Sequence, residues 1–134
     1  MSKASQPKTF ESIGVAKWLC DSLAAVSIIA PTEIQAACVP QILAGKDAIG
    51  SSRTGSGKTA AFALPILQKL SEDPYGVFAL VVTPTRELAF QIAEQFRILG
   101  TGISLRLSVV VGGMDMMKQA LELSRRPHIV IATP

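Results

Sequence analysis

A chain of 134 residues has the length of one ordinary domain, and its 49% apolar content is enough to bury a core, which excludes disorder. The net charge of +3 permits contact with polyanions without demonstrating it. No run of five like charges makes a basic tail, and no stretch of 18 uninterrupted apolar residues predicts a membrane span. Cys20 and Cys38 stand apart in apolar, helix-like surroundings, so they read as buried or half-buried free thiols without a disulfide partner, in a reducing compartment, with a lone disulfide as the alternative. The polar start "MSKASQPK" is not followed by a signal-peptide core. The expectation is a soluble intracellular protein, cytoplasmic or nuclear.

Residues 1–9 read as a flexible tail. From Val15 to Val26 the spacing of Val15, Trp18, Leu19, Ser22 and Leu23 predicts a helix, broken before Pro31. Thr32 is a suitable N-cap for a second helix, and Gln35 completes a capping-box spacing. That helix runs toward Ala44, is disturbed at Pro40 and stops at Gly45. "DAIGSS" (47–52) reads as a short strand before a Gly-rich loop. "KTAAFALPILQKL" then reads as a helix kinked at Pro65, and "SEDPYG" as a loop. "VFALVVT" (77–83) has the continuous apolar pattern of a strand covered on both faces. "RELAFQIAEQFRIL" places Leu88, Ile92, Phe96 and Leu99 on one helical face and ends at Gly100. "LRLSVVVGG" is a third strand entering a glycine turn, "MDMMKQALELS" a short helix, and "HIVIATP" a fourth strand. Alternating strands and helices with short connections predict an α/β fold, a parallel sheet with helices on both faces. Ligands of such sheets sit beyond the C-terminal strand ends. The turns after Ser51, Thr83 and Val111, and Thr133, are expected on that edge.

The loop "SSRTGSGKTAAF" carries the chemistry of a phosphate site. Gly55 and Gly57 permit the positive φ angles that point successive N–H groups into a concavity. The helix beginning near Lys58 adds unpaired N–H groups and its dipole. Lys58 is placed to reach the outer phosphates, and the Thr59 hydroxyl to ligate Mg²⁺. Ser56 is a small neighbour of the glycines. Ser52 stands where the usual pattern has glycine, but the position needs only a small residue to turn out of a strand. The competing reading is a plain Gly/Ser turn before a basic helix start.

"RTGSGKT", "PTRELA", a "GG" turn after a strand and a terminal "ATP" occur in the order found in DEAD-box RNA helicases, which this chain resembles from Phe10 to Pro134. "PTEIQ" (31–35) resembles the core of their adenine-reading Q motif, with Phe10 as the upstream aromatic; Ser27 departs from a common glycine, which reads as a minor turn change. The resemblance implies a P-loop NTPase of RecA-like fold, with residues 10–134 part of a first RecA-like domain. Its Q motif would span 10–35 and its phosphate loop 52–59, and the second RecA-like domain would be absent. It implies ATP and Mg²⁺ as cofactors. Phe10, Gln35, Ser52, Arg53, Thr54, Gly55, Ser56, Gly57, Lys58 and Thr59 would hold the nucleotide. Lys58 and Thr59 would be catalytic, with Thr59 on the metal. Gln35 would read adenine through an amide that offers both donor and acceptor. Taken alone, Gln35 is an ordinary exposed helix residue and Phe10 a core anchor. RNA would meet Pro84, Thr85, Arg86, Gly112, Gly113 and Thr133 through its sugar-phosphate backbone, without sequence readout. In isolation, Arg86 with Glu87 is a surface charge pair and the glycines a plain turn.

"LPILQKLSEDPYG" and "TPTRELAFQIAEQFRILG" further resemble the nucleolar members linked to small ribosomal subunit assembly. This implies rRNA processing, pre-ribosomal protein partners and a nuclear, nucleolar location, with the cytoplasm as the alternative. The D-E-A-D and S-A-T runs of the family do not occur in the chain. Hydrolysis needs a carboxylate beside Mg²⁺, so the expectation is a catalytically inactive N-terminal fragment with an open, aggregation-prone sheet edge. The alternatives are a non-catalytic nucleotide- or RNA-binding module, and another P-loop NTPase such as a GTPase. The lack of an N-K-x-D run and the Gln35–Phe10 pair speak against the GTPase. His128, Trp18 and the methionines Met114, Met116 and Met117 read as packing residues, and "SRRP" (124–127) as a solvated helix end.

Overall fold

The computed structural model describes residues 8–53, 55, 57–72 and 78–134. Most of the tail, Thr54 and Ser56 of the loop, and residues 73–77, from the "SEDPYG" turn to the first residue of "VFALVVT", lie outside the described residues. The chain divides into two compact units, Met1–Pro65 and Ile66–Pro134.

In the first unit, helix α1 spans Lys17–Ala25 and buries Leu19 and Leu23, with Val15 buried just ahead of it and Trp18 half-buried. Its C-terminus closes with two bonds, Ser27 N–H to the Ala24 carbonyl (3.0 Å) and Ile28 N–H to that of Leu23 (2.9 Å). This closure needs a left-handed residue, and Ser27 supplies it at φ 63°. Helix α2, Glu33–Leu43, opens with the capping box that the Thr32–Gln35 spacing predicts. It closes in the same way as α1, with Gly45 at φ 83° in the left-handed position. Helix α3, Lys58–Glu72, begins in this unit directly after the Gly-rich loop, and the division between the units falls within it, after Pro65.

The strand expected over 47–52 does not form. A strand exists only through its ladder, and among the described residues nothing pairs with this segment. Ile49 is fully exposed, and Gly50 fits against the Ile34 and Cys38 side chains of α2, where a Cβ would approach to 3.0 and 3.2 Å.

The second unit holds the sheet: β1 (Ala79–Val82), β2 (Leu107–Val110) and β3 (Ile129–Ala132), all parallel, in the order β1-β3-β2. Ala79 and Leu107 both align with Ile129, and Val82 and Val110 with Ala132. The central strand has the continuous burial of a two-sided strand: Ile129, Val130 and Ile131 are all buried. β1 does not. Leu80 is 63% and Val82 62% exposed, which corrects the expectation that both faces are covered. The helix after it, α4 (Arg86–Leu99), lies over β2 and β3 instead.

α4 buries Ala89, Ile92, Ala93, Phe96 and Leu99. Leu88, expected on that stripe, falls at its margin and is 37% exposed. Helix α5 (Met116–Ser124) is capped by the Asp115 carboxylate, touches β2, and buries none of its residues. Met114, Met116 and Met117 are therefore not packing residues here; they are 51%, 82% and 81% exposed. Right-handed crossovers place α4, which joins β1 to β2, and α5, which returns from β2 to β3, on opposite faces of the sheet. No helix among the described residues is long and apolar enough to cross a membrane. Both cysteines are free and half-buried.

Candidate functional site

The expected nucleotide residues all belong to the first unit. Gly55 and Gly57 both sit at φ 83°, the left-handed conformation a side chain would oppose. The Gly57 carbonyl accepts the first helical bond of α3, from Ala61 N–H (3.3 Å). The N–H groups of the first helical turn are those a helix leaves for an anion. Lys58, exposed, donates from Nζ to the Ser52 carbonyl and so spans the loop from one end to the other. Ser52 and Thr59 are half-buried and Arg53 is exposed.

Gln35 fits neither of the simple readings. It is only 4% exposed, so it is no surface helix residue. Its Oε1 accepts the Thr32 N–H (3.1 Å), and its Nε2 donates to the Gly57 carbonyl (3.1 Å). A primary amide has two N–H donors and two acceptor lone pairs. One of each is spent on the protein, which leaves one of each for an external partner. Glycine at 57 makes this approach possible, because a Cβ there would collide with Nε2. Phe10 is also 4% exposed; its carbonyl takes the Val15 N–H (3.0 Å), and its ring is interior, leaving little surface for stacking.

The expected RNA residues all belong to the second unit, at the C-terminal edge of the sheet. In-register pairing of β1, β3 and β2 aligns Thr83, Thr133 and Val111 as the next residues of neighbouring strands. Thr83 N–H bonds the Ala132 carbonyl (3.0 Å), and Thr133 N–H bonds that of Val110 (3.1 Å). Pro84 and Thr85 follow, both exposed. The Thr85 hydroxyl accepts Leu88 N–H (3.2 Å) as the N-cap of α4. Capping uses its oxygen as acceptor and keeps its O–H available as a donor. Arg86 reaches across to the glycine turn, where Nη1 bonds the Gly112 carbonyl (3.3 Å). Gly113 is at φ 77°, and a Cβ on it would lie 2.7 Å from Nη1. A Cβ on Gly112 meets nothing within 4 Å, so that side of the turn is open to an approaching group.

Thr32 anchors Gln35 through the capping box that their spacing predicts. One residue of these sites was not anticipated in such a role. Thr83 is 3% exposed, and its hydroxyl has no hydrogen-bond partner among the described residues. Its place at a strand end, next to Pro84, is the only sequence signal for it. His128 is structural: Nδ1 accepts the Arg106 N–H (3.1 Å), and burial together with the Arg106 charge lowers its pKa from 6.5. No group of three or more candidate metal-binding side chains occurs among the described residues.

Comparison with known proteins places these features in a family. The chain is 62% identical over 125 residues to the mouse protein named probable ATP-dependent RNA helicase DDX49, covering 93% of this chain and 26% of that one. It is 60% identical over 126 residues to ATP-dependent RNA helicase DBP8 of Meyerozyma guilliermondii, covering 94% and 29%. It is 59% identical over 133 residues to DEAD-box ATP-dependent RNA helicase 36 of Arabidopsis thaliana, covering 99% and 27%. The chain thus spans about a quarter of the length of the curated relatives it matches. Among solved structures, the RNA helicase Prp28 of Chaetomium thermophilum bound to ADP superposes with a TM-score of 0.84 at 38% identity, over 100% of this chain and 34% of that one. A hypothetical ATP-dependent RNA helicase of Sulfolobus tokodaii gives 0.79 at 37%, over 88% and 34%. The parallel α/β architecture is thereby that of the RecA-like domains of RNA helicases. The sequence pattern of the DEAD/DEAH box helicases matches residues 32–134, and the chain belongs to that family.

Proposed function

We propose that this chain binds ATP with Mg²⁺ in its first unit and the RNA backbone in its second, as part of a first RecA-like domain of an ATP-dependent RNA helicase. The observation that carries the reading is the junction at Gly57. A left-handed loop runs into a helix N-terminus there, and the buried Gln35 amide holds it with one donor and one acceptor to spare. The family uses ATP, and the Prp28 structure is described as bound to ADP. Lys58 would hold the outer phosphates, Thr59 the metal, and Ser52 to Gly57 the remaining phosphate oxygens. Gln35 would offer its spare amide groups to adenine, with Phe10 adding only the little ring surface that its burial leaves. Pro84, Thr85, Arg86, Gly112, Gly113 and Thr133 would hold RNA by phosphate and sugar, which positions a strand without reading sequence.

The parent role in rRNA processing and ribosome assembly, with pre-ribosomal partners in the nucleolus, is supported by likeness to DDX49 and DBP8. Hydrolysis is a separate matter. The sequence contains no D-E-A-D run, so this chain by itself binds nucleotide without turning it over. A titration with a fluorescent ATP analogue tests the reading. Saturable, Mg²⁺-dependent binding is expected, lost in Lys58→Ala and weaker for the GTP analogue. Equal affinity in Lys58→Ala would overturn the nucleotide assignment, and phosphate release above that variant's background would overturn the inactivity.

A further inference from the structure

The outer edge of β2 is open and grooved. Arg106 and Val110 direct their carbonyls to β3, accepting from Ile129 N–H (3.2 Å) and Thr133 N–H (3.1 Å). Alternate residues of a parallel strand bond to opposite sides, so Leu107 and Val109 turn their N–H and C=O groups away from β3. Among the described residues no strand pairs with that side. A groove of about 740 Å³ runs along it. Its lining includes Phe90 and Arg97 of α4 and Lys118 and Glu122 of α5, helices on opposite sheet faces, so the groove wraps the strand edge. At the Val111 end the Gln119 side chain takes the Val111 N–H (2.7 Å) and closes the opening there.

The lining is apolar at the centre and charged at the rim. Leu107, Val109 and the 46%-exposed Phe90 face it, and Arg97, Arg106, Lys118 and Arg125 surround it. Two carboxylates oppose these four cations. One of them, Asp115, is engaged in capping α5. Arg97 also has an exposed neighbour, Glu94, at 3.6 Å, a screened contact of little weight.

We propose that this edge is a docking slot for a short, extended, acidic segment of a partner protein, bound by strand addition to β2. Unpaired strand groups supply the main-chain bonds, flanking apolar residues supply side-chain seats, and the cationic rim selects acidic sequence. A four-residue strand accommodates a partner segment of about five residues. RNA is the poorer occupant, since it makes no use of a strand edge or an apolar floor. A second copy is disfavoured because it would bring two cationic rims together.

The test is fluorescence anisotropy with a labelled eight-residue peptide of alternating Glu and Val, titrated with this chain. Saturable binding is expected, with no binding of the Lys-Val counterpart. The exposed double variant Lys118→Glu/Arg125→Glu, shown by circular dichroism to be folded, is expected to bind at least tenfold more weakly. N-methylation of alternate peptide residues removes strand bonding without touching charge, and is expected to weaken binding as much. Full binding by the N-methylated peptide, or full retention by the double variant, would overturn the proposal. So would a slot that binds decauridylate, sensitive to the same charge reversals, while ignoring the peptide. Loss of peptide binding as protein concentration rises would assign the edge to self-pairing and overturn it too.

Discussion

Among the described residues three helices end on a residue at positive φ, and only one of the three is glycine. Gly45 closes α2 without strain, whereas Ser27 closes α1 at φ 63° and Arg126 closes α5 at φ 57°. A left-handed L-residue costs roughly 1–2 kcal/mol, part of which glycine returns in unfolded-state entropy. Ser27→Gly is therefore expected to stabilise the fold by about 0.5–1 kcal/mol, read as a higher urea midpoint at unchanged slope. No change would mean that the Ser27 hydroxyl or its neighbours already offset the strain. His128 gives a second expectation at this scale. Burial and the Arg106 charge hold its pKa below 6.5, so the unfolded chain takes up the proton first as pH falls. Stability from this group is complete above about 6.5 and declines below it. Urea melts at pH 7.5 and 5.5 should show that loss. His128→Asn, which keeps an acceptor for the Arg106 N–H, should reduce it.

At the scale of elements, one side chain does two jobs. The Oε1 of Gln35 caps α2, and its Nε2 holds the Gly-rich loop at Gly57. Gln35→Glu keeps the acceptor and loses the donor, setting a carboxylate against the Gly57 carbonyl. Gln35→Ala loses both and leaves buried groups unpaired, at a cost of about 1–3 kcal/mol. Both variants are thus expected to lower stability and to weaken ATP-analogue binding, Glu at least as much as Ala because its buried carboxylate faces a carbonyl with no donor between them; melts and titrations on the two variants check the ranking. The capping half of this pair was legible in Thr-x-x-Gln. The loop half was not, because the bond to Gly57 joins residues far apart in sequence. The same limit explains the other differences. "DAIGSS" has strand-like residues but no ladder partner, and "VFALVVT" has the pattern of a covered strand while Leu80 and Val82 are exposed. Met114, Met116 and Met117 are apolar residues that the fold leaves exposed at the start of α5. Periodicity records what a segment can do locally, and neighbours decide whether it does. The glycine turns, strand order of appearance and helix caps are local, and those the sequence displays.

At the scale of the molecule, β1 and β2 leave different surfaces at the two sides of one sheet. β2 has an amphipathic slot with a cationic rim. β1 presents Leu80 and Val82 to solvent with no charge beside them in the strand. Uncharged apolar strand surface of this kind promotes association. Leu80→Lys/Val82→Lys is expected to reduce concentration-dependent light scattering on warming, with little loss of helical signal. Unchanged scattering would show that association arises elsewhere.

The strand order has a further consequence, for the timing of synthesis. β3 lies between β1 and β2, yet follows both in the chain, and neither outer strand touches the other. No two-stranded nucleus can form while only the earlier strands have emerged from a ribosome. Ala79 must wait for Ile129, and Leu107 for the same residue. The sheet therefore pairs only once β3 is present, with helix α4 available beforehand and its apolar stripe only partly covered, by β2, until then.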